Sequence, residues 1–141
     1  IQVNKNVVQI GLNNKGKDKV VLITDSMRAA SMEDGEYELG GQAVFVKENS
    51  ARLKNGSLAG SVLTLNKAVL NYLENTKLDL HEAINLASIN PAKSINIDNN
   101  KGSLEIGKDA DISIFTTNPM EIMSETLYTI IDGKVVYRKG V

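Results

Sequence analysis

The residue with the clearest chemical potential in this sequence is Asp25. It closely follows an apolar run at 20–23, whose β-branched and leucine composition predicts a strand buried on both faces, as in a parallel sheet. In parallel α/β folds and barrels, the carboxyl ends of such strands face the active site. A carboxylate there can transfer protons or bind a metal ion. An aspartate after a strand can equally cap the next turn, so the residues alone leave both roles open.

A second candidate is the run of small residues at Leu58, Ala59 and Gly60. Small side chains allow a backbone to approach a ligand closely. We predict a loop here, followed by a helix with Ser61 as its N-cap. The N-terminus of that helix would direct free N–H groups toward an anion or a carbonyl. A plain connection into a capped helix explains the same residues.

Other residues are assigned structural roles. His81 is the single histidine and is predicted to be a solvated surface residue, because it points away from the apolar face of its helix. Gly40 and Gly41 predict a strained turn. The chain has no cysteine, which excludes disulfides, thiolate metal sites and cysteine nucleophiles. The methionines form no stripe and are predicted to be packing residues: Met27, Met32, Met120 and Met123.

Helices are predicted in the middle of the chain. Asp79 and Glu82 form a capping-box pattern before a short helix, and Pro91 is predicted at the first position of another. Residues 1–12 are ambiguous, since their apolar spacing fits either a helix or a strand. The longest predicted helix ends near Asn75, and its apolar face consists of Val62, Leu65, Val69, Tyr72 and Leu73.

Strands are predicted on both flanks of these helices. Residues 36–55 have the pattern of a β-hairpin that turns at 48–50. From residue 101 onward the composition favours strands, with one at 112–115 and a hairpin that turns at Asp132 and Gly133. This order of elements is typical of the end of an α/β domain joined to part of a β-domain.

Length and charge exclude several classes of protein. The 141 residues predict one domain of ordinary size. Sixteen basic residues against seventeen acidic ones argue against nucleic-acid binding, which needs a basic face. The longest apolar run is too short to span a bilayer, and no signal peptide is visible, so a cytoplasmic protein is expected. The chain begins at Ile1, and we expect a fragment of a longer protein.

Several motifs are shared with a known family. They lie at 23–29, 34–41, 56–61, 90–93 and 102–112. Together they make the chain resemble the N-acetylglucosamine-6-phosphate deacetylase family, over nearly its whole length (17–140). The last motif is common to the amidohydrolase superfamily, whereas the first three in combination are much narrower. Ser26 stands where this family more often has alanine.

The resemblance implies an α/β fold that is only part of a larger one. Residues 1–98 are expected to be the C-terminal part of a metal-dependent-hydrolase (β/α)8 TIM barrel, including a β-hairpin insertion. Residues 99–141 are expected to be strands of an accessory β-sandwich domain. The chain would then be the C-terminal portion of the family enzyme.

The resemblance also implies an activity and the residues that carry it. The family hydrolyses N-acetyl-D-glucosamine 6-phosphate to D-glucosamine 6-phosphate and acetate. Asp25 matches its general base and acid, and Leu58, Ala59 and Gly60 match its sugar-contacting loop. The family uses a divalent metal, zinc or iron, whose ligands lie upstream, so no metal ligand is assigned in this chain and the chain alone is expected to be inactive. A homo-oligomer without nucleic acid or membrane partners is expected.

Two alternatives stay open. The chain could belong to another enzyme of the amidohydrolase superfamily, such as a cyclic amidase or a deaminase relative. It could also be a non-catalytic, β-rich binding or assembly module.

Overall fold

The computed structural model describes residues 3–116 and 125–140. These residues contain both helices and antiparallel sheets, which makes the chain an α/β protein. Among them, no helix has the length and apolar character needed to cross a bilayer. The elements in chain order are α1 (Lys5–Lys15), β1 (Gly35–Leu39), β2 (Gln42–Lys47), β3 (Ser50–Leu53), β4 (Leu58–Gly60), α2 (Leu65–Asn75), α3 (Leu80–Asn85), α4 (Ile89–Ser94), β5 (Ile112–Phe115), β6 (Thr126–Ile131) and β7 (Lys134–Arg138).

The chain folds as two compact units. One consists of residues 23–68, and the other combines residues 1–22 with residues 69–141. The division at residue 98, which the sequence resemblance implies, concerns the domains of a longer protein and stays a prediction.

In the 23–68 unit, β1 to β4 form an antiparallel sheet in sequence order. The turn between β2 and β3 has left-handed φ at Glu48 (49°) and Asn49 (59°), the geometry of tight hairpin turns. Gly40 (59°) and Gly41 (79°) make the preceding turn in the same way. The predicted hairpin at 36–55 and the glycine turn are therefore confirmed, and the sheet is larger than predicted.

The core of this unit lies on one face of the sheet. Val44 and Val46 are buried, whereas Phe45 between them is 39% exposed, because successive side chains of a strand point to opposite faces. Met27 packs into this core as predicted, while Met32 is exposed. The predictions for Met120 and Met123 lie outside the described residues.

Residues 20–23 do not form the predicted strand. No strand in the described part of the chain pairs with them. Leu22 is buried, but Ile23 is 70% exposed. The prediction was wrong because an apolar composition fits a buried strand but does not supply the neighbouring strand that must satisfy its backbone.

The backbone of this segment is satisfied by α3 and α4 instead. The N–H of Leu22 donates to the carbonyl oxygen of Leu86 at 2.8 Å. Asn90, which is 4% exposed, donates its side-chain amide to the carbonyl oxygens of Lys17 at 2.7 Å and Val20 at 2.8 Å. One buried side chain therefore replaces hydrogen bonds that a neighbouring strand would make.

The ambiguous first residues form a helix, α1. Its N-cap is Asn4, whose side chain accepts a hydrogen bond from the N–H of Asn6 at 3.0 Å. α2 ends at Asn75 as predicted but begins at Leu65, so Val62 precedes the helix. For residues 1–12, whose apolar spacing fitted either a helix or a strand, the Asn4 cap favours the helix.

The two short helices follow the predicted capping in part. Asp79 Oδ1 accepts from the N–H of Glu82 at 2.8 Å, and Glu82 Oε2 accepts from the N–H of Asp79 at 3.1 Å, which confirms the capping box. Hydrogen bonds from Lys17 and from the Asp79 backbone lower the pKa of the Glu82 carboxyl. α4 begins at Ile89, so Pro91 is its third residue and not its first. The missing N–H is harmless there, because the first N–H groups of a helix lack intrahelical partners.

The strands β5, β6 and β7 form a second antiparallel sheet in sequence order. Asp132 and Gly133 turn between β6 and β7 with φ of 50° and 70°, which confirms the predicted Asp-Gly hairpin. The predicted change to strand at residue 101 comes later, since residues 101–111 are irregular. β7 lies at one edge of the sheet, and all of its residues are exposed.

The connection between α4 and β5 is held at two places. Gly102 has a φ of 92°, and a Cβ atom there would lie 2.9 Å from Ala92 Cβ. Lys101 Nζ contacts Asp109 Oδ2 at 3.0 Å and Asp111 Oδ2 at 2.6 Å. The hydrogen bond from Lys101 lowers the pKa of the Asp111 carboxyl. The last shared motif, at 102–112, therefore has a structural explanation.

Candidate active site

Asp25 occupies an unusual backbone conformation. Its φ is 48°, in the left-handed region, which aspartate and asparagine tolerate better than most residues. The residue is exposed. A left-handed residue persists where the surrounding structure holds it, and such residues cluster at functional sites.

The surrounding structure holds Asp25 through its next two residues. Ser26 forms a parallel β-bridge with Ser61, and the N–H of Met27 donates to the carbonyl oxygen of Ser61 at 2.9 Å. Asp25 and Gly60 immediately precede the two bridged residues, so their backbones run alongside each other. The structure thus brings the predicted acid–base residue to the end of the predicted binding segment.

Leu58, Ala59 and Gly60 form strand β4 and not the predicted loop. Pairing with β3 accounts for the difference, because its hydrogen bonds hold these residues in a strand that their own composition does not predict. In the register of the two strands, Ala51 faces Gly60 and Arg52 faces Leu58, so Ala59 has no partner residue in β3. This irregularity is a β-bulge, a feature that is common next to active sites.

The absence of a side chain at Gly60 has a packing explanation. A Cβ atom there would lie 3.1 Å from Met27 Sδ and 3.2 Å from Leu39 Cδ2. These contacts are tighter than ordinary van der Waals packing, so a larger residue would have to displace its neighbours. The glycine therefore lets β4 pack closely within its own unit, whether or not a ligand approaches it.

Ser61 is not the N-cap of a helix. Its hydroxyl accepts a hydrogen bond from the N–H of Leu63 at 3.1 Å, while the hydroxyl of Ser26 donates to the carbonyl oxygen of Leu63. α2 begins only at Leu65, and its first intrahelical bond runs from the N–H of Ala68 to the carbonyl oxygen of Thr64 at 3.0 Å. Sequence reasoning missed this arrangement; the hint was a serine directly after each candidate, Asp25 and Gly60.

His81 is exposed on α3, as predicted. Within the described ranges, no three His, Cys, Asp or Glu side chains come together as a metal site. The described residues therefore do not form a metal site by themselves, and the Asp25 carboxylate is the group at the candidate site that could transfer a proton.

The sequence matches a family model over residues 4–136, that of the amidohydrolase family. This chain belongs to the amidohydrolase family. The match covers both compact units, including Asp25 and β4.

Two curated relatives and one solved structure illustrate the similarity. This amidohydrolase is 46% identical over 114 residues to N-acetylglucosamine-6-phosphate deacetylase from Lysinibacillus sphaericus. The alignment covers 81% of the chain and 29% of the relative. It is 44% identical over 96 residues to N-acetylgalactosamine-6-phosphate deacetylase from Escherichia coli O157:H7, covering 68% of the chain and 26% of the relative. The crystal structure of N-acetylglucosamine-6-phosphate deacetylase from Pasteurella multocida superimposes with a TM-score of 0.84 at 27% identity, covering 96% of the chain and 34% of that structure.

The chain is short beside these relatives. It spans 29% and 26% of the two curated relatives and 34% of the solved structure.

Proposed function

We propose that this chain is the C-terminal portion of a deacetylase that hydrolyses N-acetyl-D-glucosamine 6-phosphate to D-glucosamine 6-phosphate and acetate. In this proposal residues 1–98 complete a (β/α)8 barrel and residues 99–141 belong to an accessory β-sandwich. The observation that carries the proposal is the Ser26–Ser61 bridge, which sets Asp25 beside β4. The name and the 46% identity of the Lysinibacillus relative support the choice of substrate.

Asp25 is the general base and then the general acid of the proposed reaction. Its carboxylate accepts a proton from water as the water oxygen bonds to the acetamide carbonyl carbon. It then gives that proton to the sugar nitrogen as the carbon–nitrogen bond breaks, which releases the free amine and acetic acid, and the acid loses its remaining proton to become acetate. The exposure of Asp25 supports this role, because substrate and water can reach the carboxylate.

The segment Leu58–Gly60 contacts the sugar in this proposal. Ala59 lies at the register shift between β3 and β4, and irregularities of this kind are common next to active sites. Contacts of this segment with the sugar would orient the acetamide toward Asp25 across the bridge.

The amidohydrolase family generally uses a divalent metal ion. The described residues do not fit one, so the proposal assigns zinc or iron and its ligands to other parts of the complete protein. We expect the purified 141-residue chain to release no acetate from the sugar phosphate, measured by an enzyme-coupled acetate assay. Acetate release above a boiled control, abolished by Asp25→Asn, would overturn this assignment.

The second candidate substrate is the galactosamine epimer. The Escherichia coli relative with that name is 44% identical, although its alignment covers 68% of the chain against 81% for the Lysinibacillus relative. The two substrates differ only in the orientation of one hydroxyl, so binding contacts to that hydroxyl must discriminate between them.

The deciding experiment measures kcat/KM of the full-length protein for both sugar phosphates and for unphosphorylated N-acetylglucosamine. We expect the glucosamine phosphate to be preferred by at least about tenfold, equivalent to about 1.4 kcal/mol of transition-state binding. A preference for the galactosamine phosphate would exchange the two candidates. Turnover of a cyclic amide, with neither sugar phosphate turned over, would favour another amidohydrolase activity. Binding of a sugar phosphate without any turnover would favour a binding module.

A further inference from the structure

We propose that Ser26 is a positioning residue that fixes Asp25 beside β4 through a hydrogen bond to the carbonyl oxygen of Leu63. This inference rests on the proposed role of Asp25. It adds a residue to the site that has no acid–base chemistry of its own.

The two serine hydroxyls hold both polar groups of one residue. Ser61 accepts from the N–H of Leu63 at 3.1 Å, and Ser26 donates to the carbonyl oxygen of the same residue. The Ser61 contact is local, whereas the Ser26 contact joins residues 37 positions apart. Ser26 is therefore the side chain that ties the Asp25 turn to the segment following β4.

The position of Ser26 makes this tie relevant to catalysis. It directly follows Asp25, whose φ of 48° requires support from its surroundings. The backbone already supplies two links here, the Ser26–Ser61 bridge and the bond from Met27 to Ser61. The hydroxyl adds a third link, which restrains rotation of the chain at the residue next to the carboxylate and keeps the proton acceptor within reach of the reacting water.

The identity of the residue makes the proposal easy to test. Ser26→Ala removes only the hydroxyl and keeps the Cβ atom, so the backbone and the packing volume change little. Threonine keeps the hydroxyl, and Ser26→Thr is the conservative variant. Ser113 is an exposed serine on β5, and Ser113→Ala is the matched control.

The first experiment is steady-state kinetics of these variants in the full-length protein. We expect Ser26→Ala to lower kcat about 3–10-fold, the effect of losing one hydrogen bond, with KM unchanged within about twofold. Ser26→Thr should restore kcat to within about twofold of the native protein, and Ser113→Ala should match it. An unchanged kcat in Ser26→Ala, or equal losses in the alanine and threonine variants, would overturn the proposal.

A second measurement keeps the inference separate from the proposed function. Hydrogen exchange of the Met27 N–H reports the closure of the bridge without any substrate. We expect Ser26→Ala to accelerate this exchange at least about threefold, with no change in Ser113→Ala. Unchanged exchange would refute the positioning role even in an active enzyme. Faster exchange in a protein that turns over neither sugar phosphate would support the Ser26 hydrogen bond as a restraint and would contradict the proposed deacetylase activity.

Discussion

The backbone of Asp25 determines which substitution tests its chemistry. Asparagine tolerates a left-handed φ of 48° and has nearly the same shape, but it cannot accept a proton. We expect Asp25→Asn in the full-length protein to lower kcat by about 10²–10⁴-fold, with KM changed by less than about threefold.

Asp132 provides the matched control, because it is also an exposed aspartate with a left-handed φ, 50°. Asp132→Asn should retain full activity. If kcat of Asp25→Asn stayed within about threefold of the native value, Asp25 would be a turn residue and not the general base.

Asn90 contributes to stability through hydrogen bonds from its side-chain amide to two backbone carbonyl oxygens in residues 17–20. Asn90→Ala would leave the carbonyl oxygens of Lys17 and Val20 without this donor in a partly buried site. We expect a loss of about 1–3 kcal/mol in the free energy of unfolding, measured by urea denaturation. The exposed Asn99 is the control, and Asn99→Ala should change stability by less than about 0.5 kcal/mol. Equal effects of the two substitutions would show that the hydrogen bonds of Asn90 do not contribute to stability.

Individual residues of the two units differ in how easily their roles could be predicted from the sequence. Asp25 could be predicted from its type and its place after an apolar run. Asn90 and Ser26 could not, since their partners are backbone carbonyls 70 and 37 positions away, and any residue supplies a carbonyl. A side chain that binds distant backbone therefore has no local signature.

Among the elements, α4 packs so closely against Gly102 that no larger side chain fits between them. Gly102→Ala would force a left-handed alanine and place its Cβ 2.9 Å from Ala92 Cβ and Ile89 Cα. Backbone strain and overpacking each cost about 1–3 kcal/mol. We expect the free energy of unfolding to fall by about 2–6 kcal/mol in chemical denaturation.

Gly107 separates these two costs. Its φ is 93°, close to the 92° of Gly102, but no atom lies within 4 Å of a Cβ placed there. Gly107→Ala should therefore lower the free energy of unfolding by the backbone strain alone, about 1–3 kcal/mol. A Gly102→Ala variant as stable as Gly107→Ala would show that α4 moves away without cost.

The elements that the sequence predicted correctly are those with local signals. The turn at Asp132 and Gly133 and the capping box at Asp79 depend on residues within three or four positions of each other. The failures at 20–23 and 58–60 have the opposite cause. The conformation of each of these segments depends on the element that packs beside it. Residues 20–23 lie against α3 and α4, and residues 58–60 pair with β3.

At the scale of the whole molecule, β7 is an edge strand of its sheet within the described residues, and its apolar side chains are exposed. Val135 and Val136 of β7 are each 57% exposed, and Tyr137 is 49% exposed. Open edges with apolar residues pair with other chains. We expect the purified chain to self-associate at micromolar concentration, measured by sedimentation velocity.

A charge on the edge should weaken this association. Val136→Lys is expected to shift the distribution toward monomer, whereas Val3→Lys, at a residue 60% exposed outside the sheets, should not. A native chain that sediments as a monomer at all concentrations would show that this edge does not drive association.

The order of the strands in the 23–68 unit has a consequence for folding kinetics. Each strand of β1 to β4 pairs with its neighbour in sequence, and such local pairings form quickly. The tie between Ser26 and Leu63 spans 37 positions and must close a much longer loop. During refolding, the sheet should therefore be complete while the backbone at Asp25 is still open, and the candidate active site should appear as a later kinetic phase.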